Sequence, residues 1–340
     1  MYYIPYNYCV MNFKKQIFAM AKQDLKTLVF PEANFSDKIM QAVKIITDKK
    51  LAKVILIGSQ SNLFARYSSL ENSYLKIIDP FATDLRFEVA KTIFSRRVDK
   101  GMTMERAEEL AVDPYYFATG LVLLNYADGL VSGSESITSK TYRPALELIK
   151  GANDNKFLSS AVIFVGKNKN LKSQALLLAD PALNINPSAT ELVDIAKLSS
   201  ELWRTLFLDE PRLAFLSYST NSSAKGDSTL KMRTATNMFK SECPEVISDG
   251  EMQLDCALNF KSQEKKFPDS KIKGDANILI APNLDSANLL GKALTVVGGL
   301  KAVGPISLGF KKPVSDISRS ATVEEIVLIS AITAIQAQVD

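Results

Sequence analysis

The chain has 340 residues, 46% of them hydrophobic and 23% charged, which is an ordinary globular composition and enough length for two domains with sizeable cores. Its formal net charge is only +4 and its lysines are scattered, so the sequence lacks the basic stripe that nucleic-acid binding usually needs. The absence of histidine excludes Ser/His/Asp and Cys/His triads and every histidine-containing metal site, so any proton chemistry rests on carboxylates, amines or the substrate.

The first part of the chain to show a structural pattern begins at Met11, where an amphipathic stretch opens, and we expect the ten residues before it to be extended and of little structural weight. Short apolar, β-branched runs then alternate with helical stretches. Runs of this kind occupy 27–33, 53–58, 127–133, 160–166, 174–180, 212–220 and 277–282. The alternation is typical of βαβ units, so the sequence predicts an α/β fold with mostly parallel sheets.

Helix starts are marked by capping residues. Ser36 precedes an apolar helical pattern, and Ser188 with Glu191 three residues later forms a capping-box pattern. The last stretch, 323–338, is apolar almost all round, which predicts a helix buried in a core.

The domain boundary is predicted at the polar, turn-rich stretch 150–156. We expect the C-terminal helix to return to the first domain, which would then comprise 1–150 and 310–340, with 151–309 as the second domain. Ligands in such folds bind at the carboxyl ends of strands or between domains, so the loops after strands are where chemistry is expected.

No GxxxxGK[ST] P-loop and no GxGxxG after a strand is present, so nucleotide hydrolysis and dinucleotide binding both lack support. Three strand-end stretches rich in small hydroxyl residues and single arginines remain, at 132–145, 217–229 and 313–326. Small residues let backbone N–H groups approach a phosphate, and an arginine pairs two of its oxygens. Taken singly each signal is weak, because a serine-rich loop is more often a solvated turn, and Arg143 is equally explained as a surface charge.

The stretch 313–326 has two compatible interpretations. Thr322 and Glu325 form a T-x-x-E pattern, so Glu325 is explained as a capping residue of the last helix. A helix N-terminus preceded by Ser318 and Arg319 also favours bound negative charge.

Cysteine content and hydropathy indicate the cellular compartment in which the protein is expected. Cys9, Cys243 and Cys256 have no CxxC spacing and an odd count, which disfavours a zinc site and a secreted disulfide framework and fits a reducing cytoplasm. No apolar run reaches the roughly 18 residues of a spanning helix, and no signal peptide is recognisable.

Seven segments, read in order, closely resemble the phosphate acetyltransferases of the phosphate acetyl/butyryltransferase family. They are "DPYYFATGLVLLNYADGLVSG", "TYRPALELI", "LSYSTNSSAKGDSTLKMRTAT", "ISDGEMQLDCAL", "NILIAPNLDSANLLGKAL", "AVGPISLGFKKPVSDISRSATVEEIV" and "AITAIQAQ". The resemblance runs from about Leu25 to Gln338, and a match in order over nearly the whole chain is far more specific than any single motif.

The resemblance implies reversible acetyl transfer between acetyl phosphate and coenzyme A, with the CoA thiol attacking directly in a ternary complex. It further implies two three-layer α/β/α domains, an interdomain cleft holding the site, a homodimer in the cytoplasm, no metal and no cofactor apart from CoA as substrate. Acetyl-CoA, CoA, phosphate and acetyl phosphate are the expected partners, and neither nucleic acid nor a membrane is expected.

The resemblance also assigns residues. Ser318, Arg319 and Glu325 are the expected catalytic residues, for hydrogen bonding at the reacting centre, charge stabilisation and thiol deprotonation. The expected substrate-binding residues are Arg97, Ser132, Gly133, Arg143, Asn288 and Lys292.

Four positions depart from the family pattern: Ser136 stands where a histidine is common, Ser320 where a glycine follows the Ser-Arg pair, Gly291 where a tyrosine is usual, and Glu325 where the expected base is an aspartate, one methylene shorter. These changes leave two alternatives open. One is a weakly active or non-catalytic protein that binds acetyl-CoA or an acyl phosphate, and the other is a transferase for a different short acyl group.

Overall fold

The computed structural model describes residues 6–66, 73–149, 157–166 and 175–339, without the side chains of 6–11, 65 and 66. The chain divides into two compact units. We call Lys15–Lys156 with Phe310–Asp340 the parallel unit, and Met1–Lys14 with Phe157–Gly309 the mixed unit, after their sheets. The predicted boundary stretch 150–156 lies outside the described residues.

The elements alternate between helix and strand along most of the chain. The helices are α1 (Tyr6–Ala21), α2 (Asp37–Asp48), α3 (Gln60–Arg66), α4 (Leu85–Arg97), α5 (Met104–Leu110), α6 (Pro114–Leu123), α7 (Thr138–Leu148), α8 (Ala189–Leu206), α9 (Asp227–Glu242), α10 (Leu254–Leu258), α11 (Phe260–Lys266), α12 (Leu284–Val296) and α13 (Val323–Gln336), with a 3-10 turn at Val98–Lys100. The strands are β1 (Thr27–Phe30), β2 (Lys53–Ile57), β3 (Leu75–Ile78), β4 (Gly129–Ser132), β5 (Ser159–Val165), β6 (Ala175–Ala179), β7 (Arg212–Leu216), β8 (Ile247–Met252), β9 (Ile278–Ile280), β10 (Lys301–Leu308) and β11 (Val314–Asp316).

The sheet of the parallel unit has the strand order β11-β4-β1-β2-β3, and every neighbouring pair is parallel. Helices α2 and α13 contact each other, while α4, α6 and α7 form a second mutually contacting group. The predicted burial of the last helix is confirmed, since every residue from Ile326 to Ile335 is buried. It packs on β1, β4 and β11, so the last helix helps to form the core of this unit.

The sheet of the mixed unit has the order β10-β5-β6-β9-β7-β8. The pairs β10-β5 and β5-β6 are antiparallel, and the remaining pairs are parallel. Its core includes the fully buried side chains of Phe164, Trp203, Phe215 and Phe239. The two sheets together confirm the predicted α/β class with mostly parallel strands.

Most sequence predictions of single elements are confirmed. Each predicted apolar run coincides with a strand to within two residues at its start, and Ser36 caps α2 by accepting a hydrogen bond from the backbone N–H of Ile39. Ser188 and Glu191 form the predicted capping box of α8. The expected extended start is wrong for residues 6–10, which are helical and continue without a break into the amphipathic stretch. Residues 1–5 lie outside the described residues. In the part of the chain that the structure describes, no helix is long and apolar enough to cross a membrane.

Candidate active site

The carboxyl edge of the parallel-unit sheet brings two of the predicted loops together. Strands β11 and β4 are neighbours, with Asp316 opposite Ser132. Beyond the last pair, the backbone N–H of Ile317 donates to the carbonyl oxygen of Ser132 at 2.6 Å. The Ser318–Arg319 segment after β11 therefore starts beside the 133–137 loop after β4, although the two are about 180 positions apart in the sequence.

Gly133 makes this close approach possible. Its φ is +101°, and a Cβ placed on it would lie 2.4 Å from Oδ1 of Asp316 and 2.5 Å from the carbonyl oxygen of Ile317. A side chain at this position would thus meet both a strained backbone conformation and two oxygen atoms. Glycine is required for the two loops to meet.

Below this turn lies a buried polar layer. The Ser132 side chain is fully buried, and its hydroxyl accepts a hydrogen bond from Thr141 at 3.2 Å. Asp316 is 7% exposed, and in the described part of the chain its Oδ1 has no hydrogen-bond partner. Burial raises the pKa of Asp316, and hydrogen bonds from Thr138 and Thr141 offset part of that rise. Ser132 is therefore placed to support the loop, not to expose a hydroxyl.

A second buried acid, Glu32, holds the 133–137 loop from the end of β1. Its fully buried carboxylate accepts hydrogen bonds from the backbone N–H of Ser134 at 2.8 Å, the Ser136 hydroxyl at 2.7 Å and the Tyr115 phenol at 3.2 Å. Burial, with the neighbouring Glu32 charge, raises the pKa of Tyr115, so the phenol remains a donor. Among the described residues, no lysine or arginine forms an ion pair with Glu32. Ser136, where the family pattern has histidine, is thus a buried donor to this acid.

The predicted catalytic segment is exposed. The Ser318 hydroxyl lies 2.9 Å from that of Ser320, the residue that replaces the family glycine. Lys38 donates to the carbonyl oxygen of Arg319 at 2.7 Å. Within the described parts of the chain, the guanidinium of Arg319 has no hydrogen-bond or ion-pair partner. The pair is accessible, and the charge of Arg319 is not neutralised by a side chain.

Glu325 has the capping role that its spacing predicts. Its Oε2 accepts hydrogen bonds from the Thr322 N–H at 2.8 Å and the Thr322 hydroxyl at 3.0 Å, and the Glu325 N–H donates back to Thr322 Oγ1 at 3.3 Å. The capping box of α13 is confirmed. Its side chain is half-buried, so capping and access to solvent coexist.

Arg97 and Arg143, both predicted to bind anions, meet on one carboxylate. Glu147 Oε1 lies 3.1 Å from Nε of Arg143 and 3.7 Å from Nη2 of Arg97, while the Tyr116 phenol donates to Glu147 Oε2 at 2.7 Å. Burial, with the adjacent Glu147, raises the pKa of Tyr116 to about 12, so its proton is retained at neutral pH. Arg143 is 74% exposed, and the buried Nε of Arg97 has no hydrogen-bond partner among the residues that the structure describes. We call these four residues the Glu147 cluster.

Asn288 and Lys292 belong to α12 in the mixed unit, and both are exposed. The Asn288 amide donates to the carbonyl oxygen of Pro181 at 3.3 Å. A Cβ on the nearby Gly291 would lie 3.4 Å from Phe164 and 3.6 Å from Leu178, which is ordinary contact with the core of that unit.

Sequence reasoning missed the acids that organise the site: Glu32, Glu147 and Asp316. Glu147 stands four positions after Arg143, a spacing that pairs opposite charges on a helix, and this signal was available. Glu32 accepts hydrogen bonds from side chains 83 to 104 positions away in the sequence, and no local sequence pattern predicts such contacts. Among the described residues, no group of three or more acidic or cysteine side chains is arranged to hold a metal ion.

The two sheets, with the exposed Arg319 after β11 and with Arg97 and Arg143 on one carboxylate, define an α/β protein equipped to bind anions. A model of the phosphate acetyl/butaryl transferase family matches residues 12–334, and the chain belongs to this family of acyltransferases. The resemblance read from the sequence is confirmed.

Individual members of the family match this chain over nearly their full lengths. The phosphate acetyltransferase of Clostridium acetobutylicum is 38% identical over 332 residues, covering 96% of this chain and 99% of that protein. A phosphotransacetylase structure from Streptococcus pyogenes matches with a TM-score of 0.90 and 31% identity, covering 97% of this chain and 99% of the other. The EutD phosphotransacetylase from Staphylococcus aureus matches with a TM-score of 0.89 and 30% identity over the same shares.

Proposed function

We propose that this protein transfers an acetyl group reversibly between acetyl phosphate and coenzyme A. The observation that carries the proposal is the match to phosphate acetyltransferases over nearly the whole of both chains, with Ser318, Arg319, Arg97 and Arg143 all present. In the proposed reaction both substrates bind together. The CoA sulfur forms a bond to the acetyl carbonyl carbon, the bond from that carbon to the phosphate oxygen breaks, and phosphate leaves with the electron pair.

Arg319 is the proposed stabiliser of developing charge. Its guanidinium is exposed and has no partner among the described residues, so binding an anion requires no existing ion pair to break. Negative charge develops on the carbonyl oxygen during attack and then on the leaving phosphate. A positioned donor to such an oxygen contributes roughly 3–4 kcal/mol. Ser318 is the proposed hydrogen-bonding partner beside it.

Glu325 is the proposed base for the thiol. A thiol of pKa about 8.5 is only a few per cent ionised at pH 7, so complete ionisation is worth about 2 kcal/mol, or roughly thirtyfold in rate. This contribution is smaller than that assigned to Arg319. Glu325 also caps α13, and the capping bonds use Oε2, so its two roles must be separated by experiment.

The remaining predicted residues are proposed to bind substrate groups. Arg97 and Arg143 would bind the phosphate or the phosphoryl group, and Asn288 and Lys292 would bind anionic or polar parts of a substrate. Ser132 and Gly133 would contribute through the turn after β4, since the first is buried and the second has no side chain.

The experiment that tests the activity is release of free thiol from acetyl-CoA on adding phosphate, with propionyl-CoA and butyryl-CoA measured in parallel. We expect phosphate-dependent release that is fastest with acetyl-CoA and is lost in Arg319→Ala. Acetyl-CoA binding without release would favour a non-catalytic binding protein, and faster release from a longer acyl-CoA would favour a different acyl substrate.

The proposed roles of Arg319 and Glu325 are separated by comparing the variants Arg319→Ala, Glu325→Ala and Glu325→Gln. Glutamine retains the acceptor that a capping box needs but lacks the negative charge, so Glu325→Gln should melt like the wild type and still lose turnover. Arg319→Ala should lose more turnover than either Glu325 variant. The reverse order would contradict the charge-stabilisation role of Arg319.

We further propose a homodimer, cytoplasmic and without a cofactor other than its substrates. Helix α12 supports the dimer, because Leu289, Val296 and the following Val297 are 71%, 82% and 87% exposed. Leu289→Asp with Val296→Asp should shift the light-scattering mass from dimer to monomer. The free thiols of Cys243 and Cys256 support a reducing compartment.

A further inference from the structure

Glu147 is a carboxylate placed where an incoming anion would compete with it. It contacts Arg143 through Nε and Arg97 through Nη2, the two side chains to which the proposed function assigns phosphate binding. Its own side chain is 15% exposed, so water screens it only in part. A bound phosphate would have to share both guanidinium groups with Glu147.

Two further contacts hold Glu147 in this position. The Tyr116 phenol donates to Oε2 at 2.7 Å, and Tyr116 is itself 8% exposed. Arg143 and Glu147 also lie four positions apart on α7, the spacing at which helix side chains meet. The carboxylate is therefore fixed next to the arginines by the fold.

The charge of the cluster then determines how strongly it attracts an anion. Two arginines and one glutamate give a net charge of +1, whereas replacing the glutamate by a neutral residue gives +2. A fixed negative charge a few ångströms from a bound dianion weakens its binding, and the effect is appreciable in a partly desolvated site. Among the described residues, the buried Nε of Arg97 has no hydrogen-bond partner, so Glu147 does not use every donor of the cluster.

We propose that Glu147 is a positioning residue that sets the phosphate affinity of the Arg97–Arg143 pair, by holding both guanidinium groups in place and sharing their charge with the bound anion. The proposal rests on the proposed function, because it takes these two arginines to be the phosphate-binding groups. It predicts that the wild-type protein binds phosphate more weakly than the arginine pair alone would allow, which favours release of phosphate after each turnover.

The test is the phosphate dependence of thiol release in Glu147→Gln. Glutamine has the same size, and its single acceptor oxygen can face the arginines while its NH2 group donates to the Tyr116 oxygen, so the arginines should remain in place. We expect the KM for phosphate to fall roughly threefold to tenfold, and the dissociation constant for inorganic phosphate, measured by calorimetry on the protein without acetyl-CoA, to fall in parallel. A KM and a dissociation constant equal to or above the wild-type values would overturn the proposal.

The matched control is Glu109→Gln, which removes an equal charge from another arginine pair of the parallel unit, since Glu109 binds Arg106 on the exposed surface of α5. It should leave both phosphate constants unchanged. An equal fall in this control would mean that net charge alone is responsible and would overturn the proposal. If Glu147→Gln does not fold, Glu147→Ala is measured in its place with the same expected direction.

A double-mutant cycle tests whether Glu147 acts through the arginine. In an Arg143→Ala background, Glu147→Gln should change the dissociation constant for phosphate by less than twofold. An undiminished effect would show that Glu147 acts independently and would overturn the proposal. The single Arg97→Ala and Arg143→Ala variants test the proposed function instead. If neither variant weakens phosphate binding, the assigned phosphate site is wrong. If both weaken it but Glu147→Gln does not bind phosphate more tightly than the wild type, only the role of Glu147 is contradicted.

Discussion

Two serine-rich loops of the molecule are each held by a buried glutamate, and the two glutamates differ in the groups that donate hydrogen bonds to them. In the mixed unit, Glu251 is 1% exposed and accepts hydrogen bonds from the Ser219 hydroxyl, the Ser222 N–H and both Nε and Nη2 of Arg233. Burial alone would raise the pKa of Glu251, but these bonds outweigh it and hold that pKa below its ordinary value. In the parallel unit, Glu32 is held by neutral donors.

The difference shows two ways to fix a strand-end loop. An arginine neutralises the buried charge of Glu251, so the loop at 217–226 rests on an ion pair. At Glu32, hydrogen bonds from neutral donors and the packing of Gly133 hold the loop at 133–137. The second loop lies next to Ser318 and Arg319, so its supports are expected to affect activity as well as stability.

The largest expected effect is that of Gly133→Ala. The new methyl group would meet two oxygen atoms at about 2.4–2.5 Å in a backbone conformation that L-residues avoid, so we expect a loss of about 3 kcal/mol or more in the free energy of unfolding. Denaturant titration measures it. Gly101→Ala is the matched control, because φ there is +80° but nothing lies within 4 Å of the added Cβ, and it should cost only about 1 kcal/mol. Equal losses in the two variants would refute the role of close packing at Gly133.

The second-largest effect on the free energy of unfolding is expected for Arg233→Ala, which leaves the buried Glu251 without its arginine partner. Because Arg233 is 35% exposed, we expect a loss of about 2–3 kcal/mol, less than for a fully buried pair. The control is Arg204→Ala, whose two ion pairs are longer than 3.5 Å and exposed, and which should cost less than about 1 kcal/mol. A loss for Arg233→Ala no larger than this control would show that the ion pair does not support the loop.

Ser136→Ala is expected to have a smaller effect, because it removes one of several donors from Glu32. We expect a loss of about 1–2 kcal/mol in the free energy of unfolding together with lower turnover, since the loop borders the proposed catalytic segment. Ser95→Ala, which removes an exposed hydroxyl bonded to the Thr92 carbonyl, is the control and should be close to neutral. Unchanged stability and turnover in Ser136→Ala would mean that the loop does not depend on this donor.

Asp316→Asn is expected to have the smallest effect, visible as a pH dependence. The pKa of Asp316 is raised in the fold, so the folded state binds its proton more tightly than the unfolded chain does. Its contribution to stability is complete below about pH 4 and is lost as the pH rises through the folded-state pKa. The melting temperature of the wild type should therefore decrease relative to that of Asp316→Asn as the pH rises above about 4. A difference that is constant with pH would show that the pKa of Asp316 is not raised.

The elements that sequence reasoning found and missed differ in local pattern. Apolar, β-branched runs such as that of β2 are recognisable from a short window of sequence, and so are the helix caps at Ser36, Ser188 and Thr322. Strand β8, "ISDGEM", is polar, β11 has three residues, and β10 is interrupted by Gly304 and Pro305. These strands exist because neighbouring strands supply hydrogen bonds, which no short window of sequence records.

The same limit applies to the candidate site. Its exposed members, Ser318, Arg319 and Arg143, lie in the hydroxyl-rich strand-end stretches that the sequence singles out, and the family resemblance supplies their expected roles. The acids beneath them could not be assigned, because the function of Glu32 depends on Tyr115 and Ser136, which only the folded sheet places next to it.

The placement of β11 and α13 has a consequence for synthesis of the chain on the ribosome. Strand β11 pairs with β4, and α13 is buried against β1 and β4, so the parallel unit needs residues that are translated after every strand of the mixed-unit sheet. Its first 130 or so residues leave the ribosome without the strand and helix that cover their apolar surface, whereas all strands of the mixed-unit sheet have been translated by residue 308. The parallel unit is begun before the mixed-unit sheet but completed after it, so its apolar surface stays uncovered while that sheet is synthesised and needs protection from aggregation.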